Sequence, residues 1–193
     1  MTAELKGSEG SSGYLSFLPM EIIREVADVY DVDPYLLGAI VFTESGGHQY
    51  AVRYESHWSY FHDTAVHAKR IGITEESERV LQQMSFGYFQ IMGSVLRELG
   101  FKGSLVSACD QRTNIVYGTI KLCELLEKYA ESIPDALSAY NQGSVRKDKD
   151  GKYRNQAYVD RVLNWYSMLS LEGKRIVLYD ESTATGQGGD PGE

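Results

Sequence analysis

The feature that most constrains this sequence is a helix with no polar side. Asp33-Pro34 is a strong helix start: a capping carboxylate, then proline at the first helical position, where its fixed φ fits and its missing N–H is not needed. The residues that follow, Tyr35, Leu36, Leu37, Ala39, Ile40, Val41 and Phe42, are apolar around nearly the whole helix. Such a helix belongs at the centre of a domain, with other elements packed around it. The pattern runs to Glu44, and Gly46 and Gly47 end it. A carboxyl group therefore sits at the end of the most apolar element. Desolvation disfavours its charged form, and so does the partial negative charge of a helix C-terminus. A carboxyl held protonated near neutral pH can give its proton to a leaving oxygen, which makes Glu44 the candidate acid–base group. On position alone, a helix-end glutamate exposed to water is the favoured reading.

Around this helix the sequence predicts a mainly α domain. Pro19 opens a helix through about Tyr30, with Ile22, Ile23, Val26 and Val29 on one side. Thr74 caps a helix that begins with Glu75 and Glu76. Residues 86–99 read as a helix closed by Gly100, and residues 111–130 form the clearest amphipathic stretch. Pro134 opens a short helix that closes near Gly143. Residues 155–171 carry Tyr158, Val162, Trp165 and Leu169 at helical spacing, and Lys174 to Tyr179 reads as a short strand or an extended tail. Residues 48–73 and 144–154 read as irregular loops rich in polar and aromatic groups, the kind that often carry function. The expected organisation is a flexible leader over 1–13, one domain over 14–180 and a disordered tail over 181–193.

With 193 residues, 42% hydrophobic and 24% charged, the chain has the make-up of an ordinary globular protein with one core. No apolar run reaches the roughly 18–20 residues of a membrane span. The polar, Gly/Ser-rich start lacks the basic and apolar regions of a secretory signal, which points to a phage or prophage protein if the substrate lies outside the cytoplasm. A net charge of −8 argues against general nucleic-acid binding. Against that background, Arg146, Lys147, Lys149, Lys152 and Arg154 form a local basic cluster, either a solvated loop or a rim for an acidic polymer. Two cysteines, Cys109 and Cys123, are too few for a disulfide scaffold or a cysteine zinc site. His48, His57, His62 and His67 are not spaced to share a helix face, so no metal site is expected.

Three short stretches accompany Glu44 in order: Glu44-Ser45-Gly46-Gly47, then Ser85-Phe86-Gly87-Tyr88-Phe89-Gln90-Ile91-Met92, then Ala139-Tyr140-Asn141-Gln142-Gly143. Together with Tyr158 they resemble the catalytic domain of the soluble lytic transglycosylase (SLT) family, related to goose-type lysozyme, over roughly residues 19–170. That family shows a Glu-Ser pair, a Gly-Leu-Met-Gln-like motif, an Ala-Tyr-Asn-x-Gly motif and a later tyrosine. The resemblance implies a lysozyme-like helical fold with a substrate cleft, peptidoglycan glycan strands as the partner, and no cofactor. It makes Glu44 general acid and then general base, with Ser45 steadying that carboxylate or the substrate acetamide. Gly87 would let the glycan pass close to the backbone; Tyr88 and Gln90 would line the cleft. Tyr140 and Asn141 would position the acetamide, and Tyr158 would send its hydroxyl toward Glu44. Core packing of Tyr140 and Tyr158 and a helix-end role for Asn141 stay open.

The implied reaction cuts the β-1,4 bond between N-acetylmuramic acid and N-acetylglucosamine and leaves a 1,6-anhydro end. A hydrolase needs a second carboxylate. The long insert between the first two motifs supplies candidates: Glu55 above all, beside Arg53 and Tyr54, then Asp63, Glu75, Glu76 and Glu78. A hydrolytic muramidase is therefore the alternative enzyme, and a wall-binding or virion structural domain without chemistry is the alternative from another class. In the same insert Tyr54, Trp58, Tyr60 and Phe61 could form a sugar-stacking wall or simply pack the insert.

Overall fold

A computed structural model describes residues 13–130 and 132–185, with side chains through Ile176. Helix α1 (Met20–Tyr30) leads through a left-handed Asp31 into α2 (Pro34–Ser45), whose N-terminus is capped by Asp33: its carboxylate accepts from the Tyr35 N–H at 2.8 Å. Leu37, Ala39, Ile40 and Val41 of α2 are completely buried, as an all-round apolar helix requires. Strand β1 (Val52–Tyr54), α3 (Thr64–Ile71), α4 (Glu75–Gln82), β2 (Met84–Phe86), β3 (Ile91–Met92) and α5 (Gly93–Glu98) form the middle of the chain. Helices α6 (Gln111–Lys128), α7 (Ile133–Gln142) and α8 (Gln156–Thr185) complete it. Helix α8 runs along α2, while α6 packs against α1 and α7.

The three strands make one antiparallel sheet in the order β1-β2-β3, with Arg53 opposite Ser85 and Phe86 opposite Ile91. The expectation of a helix over 86–99 is corrected here. Only its second half, α5, is helical, because Gly87 at φ 70° and Gln90 at φ 44° turn the chain left-handed between β2 and β3. The insert is also more ordered than a loop, since it contains β1 and α3. In α1, Ile23 and Val26 are buried but Val29 is 78% exposed, so it lies off the core face.

The strand or extended tail expected over Lys174–Tyr179 is helix, continuous with α8. Gly173 does not break it, because that position has a packing reason for glycine. A Cβ there would lie 2.0 Å from the Tyr35 hydroxyl. The same helix continues through Thr185, into the stretch read as a disordered tail; the leader over 1–12 and residues 186–193 lie outside the described residues. Among the described residues no helix is long and apolar enough to cross a membrane.

A buried ion pair ties the middle of the chain together. Arg97 and Glu78 are both fully buried, with two hydrogen bonds of 2.7 and 3.0 Å, and Arg97 Nη1 also donates to the Phe101 and Gly103 carbonyls. Glu78 is thereby removed as a second-carboxylate candidate. Glu75 accepts from Thr64 at 2.7 Å and faces Arg79, within α4 whose Thr74 cap accepts from Ser77 N–H.

Candidate active site

Helix α2 ends where Gly46 adopts φ 63° and its N–H closes on the Phe42 carbonyl. That stop leaves Glu44 half-buried on the last turn, held by Tyr158 from α8, whose hydroxyl donates to Glu44 Oε1 at 2.7 Å. Burial pushes the Glu44 carboxyl above the ordinary glutamate value; the Tyr158 hydrogen bond opposes this, and so do the charges of Lys121, Arg53 and Arg161. The group therefore has the chemical character of an acid that stays protonated longer than a surface glutamate and returns easily to the carboxylate.

The second and third stretches meet at one bond. Tyr140, buried on α7, donates its hydroxyl to the Phe89 carbonyl at 3.0 Å. Its phenol is pushed well above the ordinary tyrosine value by burial and then by the charge of Glu44. Tyr158 shifts the same way for the same leading cause, followed by Glu44. Glu44, Tyr140, Tyr158 and the Gly87–Gln90 turn thus form one cluster at the C-terminal end of α2.

The other expected residues make the following contacts within the protein. Ser45 donates its hydroxyl to the Val41 carbonyl at 3.0 Å, an in-helix bond that leaves the Glu44 contact to Tyr158. The close approach at Gly87 is made by Asn114: a Cβ on Gly87 would lie 2.4 Å from the Asn114 amide. Gln90 is occupied in holding the turn. Its Nε2 donates to the Ala51 and Gly87 carbonyls at 3.0 and 2.9 Å, and its Oε1 accepts from Ser85 at 2.8 Å. These bonds offset the left-handed backbone of a non-glycine residue. Tyr88 is buried, and its hydroxyl accepts from Gln111 at 3.1 Å. Asn141 is exposed and accepts from Asn155 at 3.0 Å. Glu55 forms an ion pair with Arg53, and its N–H donates to the Gln83 carbonyl at 2.9 Å.

Of the insert aromatics, Trp58 donates Nε1–H to Ser94 at 2.8 Å and Phe61 lies under the Arg79 guanidinium, whereas Tyr54 and Tyr60 are about half exposed. The basic cluster is a small hairpin bridged at Lys147 and Tyr153. It is fastened to α7 through Asp135, which Tyr153 reaches at 2.6 Å and Lys147 at 2.9 Å. A surface concavity of about 470 Å³ lined by Arg24, Asp28 and Asp33 lies at the opposite, N-terminal end of α2 and does not belong to this site.

Sequence reasoning missed three positions on α6. Asn114 accepts from the Phe89 N–H and donates to the Phe86 and Ala108 carbonyls, each at 2.9 Å. Gly118 leaves room for the Phe89 ring, which a Cβ would meet at 2.2 Å. Lys121 donates to the Tyr140 carbonyl at 3.2 Å. Their spacing of four and then three residues marks one helix face, and an amide, a glycine and a lysine on the face of a helix packed inward was the available signal.

A central apolar helix packed between α1 and α8, carrying at its end a carboxyl held by Tyr158, defines a lysozyme-like helical domain. The chain belongs to the transglycosylase SLT domain family, whose model matches residues 21–161. Its fold is similar to that of the lytic transglycosylase Slt from Pseudomonas aeruginosa, solved as an inactive Glu-to-Gln mutant. The TM-score is 0.50 at 16% sequence identity over 77% of this chain, and the match spans 24% of that protein.

Proposed function

We propose that this chain is a peptidoglycan lytic transglycosylase with Glu44 as its single acid–base group. Glu44 protonates the oxygen bridging N-acetylmuramic acid to N-acetylglucosamine, and that bond breaks. The neighbouring acetamide carbonyl stabilises the sugar cation. Glu44, now a carboxylate, takes the proton of the muramic acid 6-hydroxyl as that oxygen bonds to carbon 1. The proton count closes with one carboxyl, and the product carries a 1,6-anhydro end. Tyr158 fixes Oε1, which leaves the other carboxyl oxygen for the proton.

The observation that carries this reading is the environment of Glu44: a half-buried acid of raised pKa, bound to Tyr158, with cations as the charges acting on it. An inverting hydrolase would instead place a second carboxylate about 6.5–9.5 Å away to activate water. Glu55, the leading candidate for that task, is neutralised by Arg53.

Incubation with purified peptidoglycan and mass analysis of the soluble products tests the proposal. Muropeptides lighter by one water than their hydrolytic counterparts are expected, and Glu44→Gln should lower their release by about a thousandfold or more. Fully hydrated ends would replace the proposal with a muramidase, and no soluble product at all would leave a wall-binding domain.

A further inference from the structure

The reaction proposed for Glu44 gives no role to Lys121, which contacts the cluster through Tyr140. Lys121 sits in the middle of α6, and a lysine there has enough reach to carry its ammonium out to water. It turns inward instead. Its Nζ donates to the Tyr140 carbonyl at 3.2 Å and lies 4.0 Å from the centre of the Tyr140 ring. The same tyrosine grips the Phe89 carbonyl with its hydroxyl. The ammonium is therefore fixed on Tyr140, the residue that ties α7 to the Phe89 turn. Burial brings its pKa down to about 8, while the charge of Glu44 and then that of Glu98 work to keep it protonated. Among the charges acting on Glu44, Lys121 comes first.

Lys121 and Glu44 are both partly buried, and a charge drawn out of water is costly unless an opposite charge compensates it. Each charge favours the other: Lys121 works against the rise in the Glu44 pKa, and Glu44 works against the fall in that of Lys121. That matters most for an acid that must exist in both forms in one cycle. Glu44 begins neutral, becomes a carboxylate when the glycosidic bond breaks, and is neutral again when the anhydro ring closes. A fixed cation lowers the energy of the middle state without binding the sugar.

We propose that Lys121 is a positioning residue that stabilises Glu44 as a carboxylate between the two proton transfers, and that its bond to Tyr140 couples this charge to the Ala139–Gly143 segment. The idea rests on the reading of Glu44 as the acid–base group, but the link between the two charges can be measured without any substrate.

The test uses the full chain with ¹³C-labelled glutamate and lysine. The Glu44 carboxyl signal is titrated in the wild type, in Lys121→Met and in Lys121→Arg. The Glu44 midpoint is expected to move to higher pH in Lys121→Met and to return toward the wild-type value in Lys121→Arg. Should Lys121→Met fold poorly, the reciprocal measurement stands: Glu44→Gln should shift the Lys121 midpoint to lower pH, because coupling between two sites is symmetric. On the acidic plateau, where Glu44 is protonated in every variant, kcat for glycan cutting should fall about tenfold in Lys121→Met with KM little changed. Midpoints that stay put in both directions overturn the proposal, even where Lys121→Met is less stable. Shifted midpoints in a protein that cuts no glycan uphold the charge link and overturn the function proposed above.

Discussion

Glu44 and Tyr158 lie 114 positions apart in sequence, and the 2.7 Å bond between them opposes the rise that burial gives the Glu44 pKa. A hydroxyl donated to Glu44 stabilises the carboxylate, so removing it raises the pKa of the acid. Tyr158→Phe keeps the ring and loses only that bond. Under the proposed mechanism Glu44 starts protonated, so wild-type kcat/KM should fall as pH rises through its raised pKa. In Tyr158→Phe that alkaline limb should move to higher pH, while the plateau rate falls by about tenfold because the carboxylate formed on proton donation is less stable. A pH–rate series on soluble glycan fragments measures both effects. An unmoved alkaline limb would mean that the hydrogen bond does not tune the acid.

At the level of elements, α6 acts as the backing of the site rather than as a wall of it. Asn114 satisfies one N–H and two carbonyls of buried backbone around the β2–β3 turn. Asn114→Ala leaves those groups without partners and should cost about 2–4 kcal/mol in urea unfolding. The turn carries Phe89, whose carbonyl holds Tyr140, so activity should fall as well. The α3–α4 region has a different sensitivity. His67 is buried among Arg97, Glu78, Arg70 and His62, and burial followed by the Arg97 charge holds its imidazole below the ordinary histidine value. The unfolded chain therefore binds this proton first. Stability attributable to His67 is intact above about pH 6.5 and is lost as pH falls below it toward the lowered folded value. The stability of His67→Gln should be flatter than that of the wild type between pH 7 and 5, as followed by thermal melts at each pH. Parallel curves would contradict this.

Considered as a whole molecule, the chain carries a net charge of −8, and the proposed substrate is an anionic polymer. Long-range repulsion opposes encounter, while the basic hairpin at 146–154 attracts locally. Raising ionic strength from about 0.01 to 0.15 M shortens the screening length from about 30 to about 8 Å, which removes the first effect more than the second. The rate of peptidoglycan solubilisation at low substrate is expected to rise about twofold or more over that range. A steady fall from the lowest salt onward would show that the hairpin dominates encounter.

Much of the architecture was legible because local rules govern it. The Asp33-Pro34 start, the Gly46 stop, the Thr74 cap and the Pro134–Gly143 helix all depend on neighbours in sequence, and the apolar circumference of α2 required it to be central. The raised pKa of Glu44 followed from the same argument. What sequence could not determine was what each polar side chain would touch. Gln90 and Gly87 serve the turn, Glu78 disappears into a pair with Arg97, and Gly173 stays helical against Tyr35. Lys121 and Asn114 gained importance only because α6 lies behind the Phe89 turn. The sequence by itself determined α1, α2, α4, α6 and α7 and marked Glu44 as the candidate acid. The tertiary structure alone decided that acid's partners, because hydrogen bonds and buried charges act over a few ångströms between residues separated by dozens of positions in the chain.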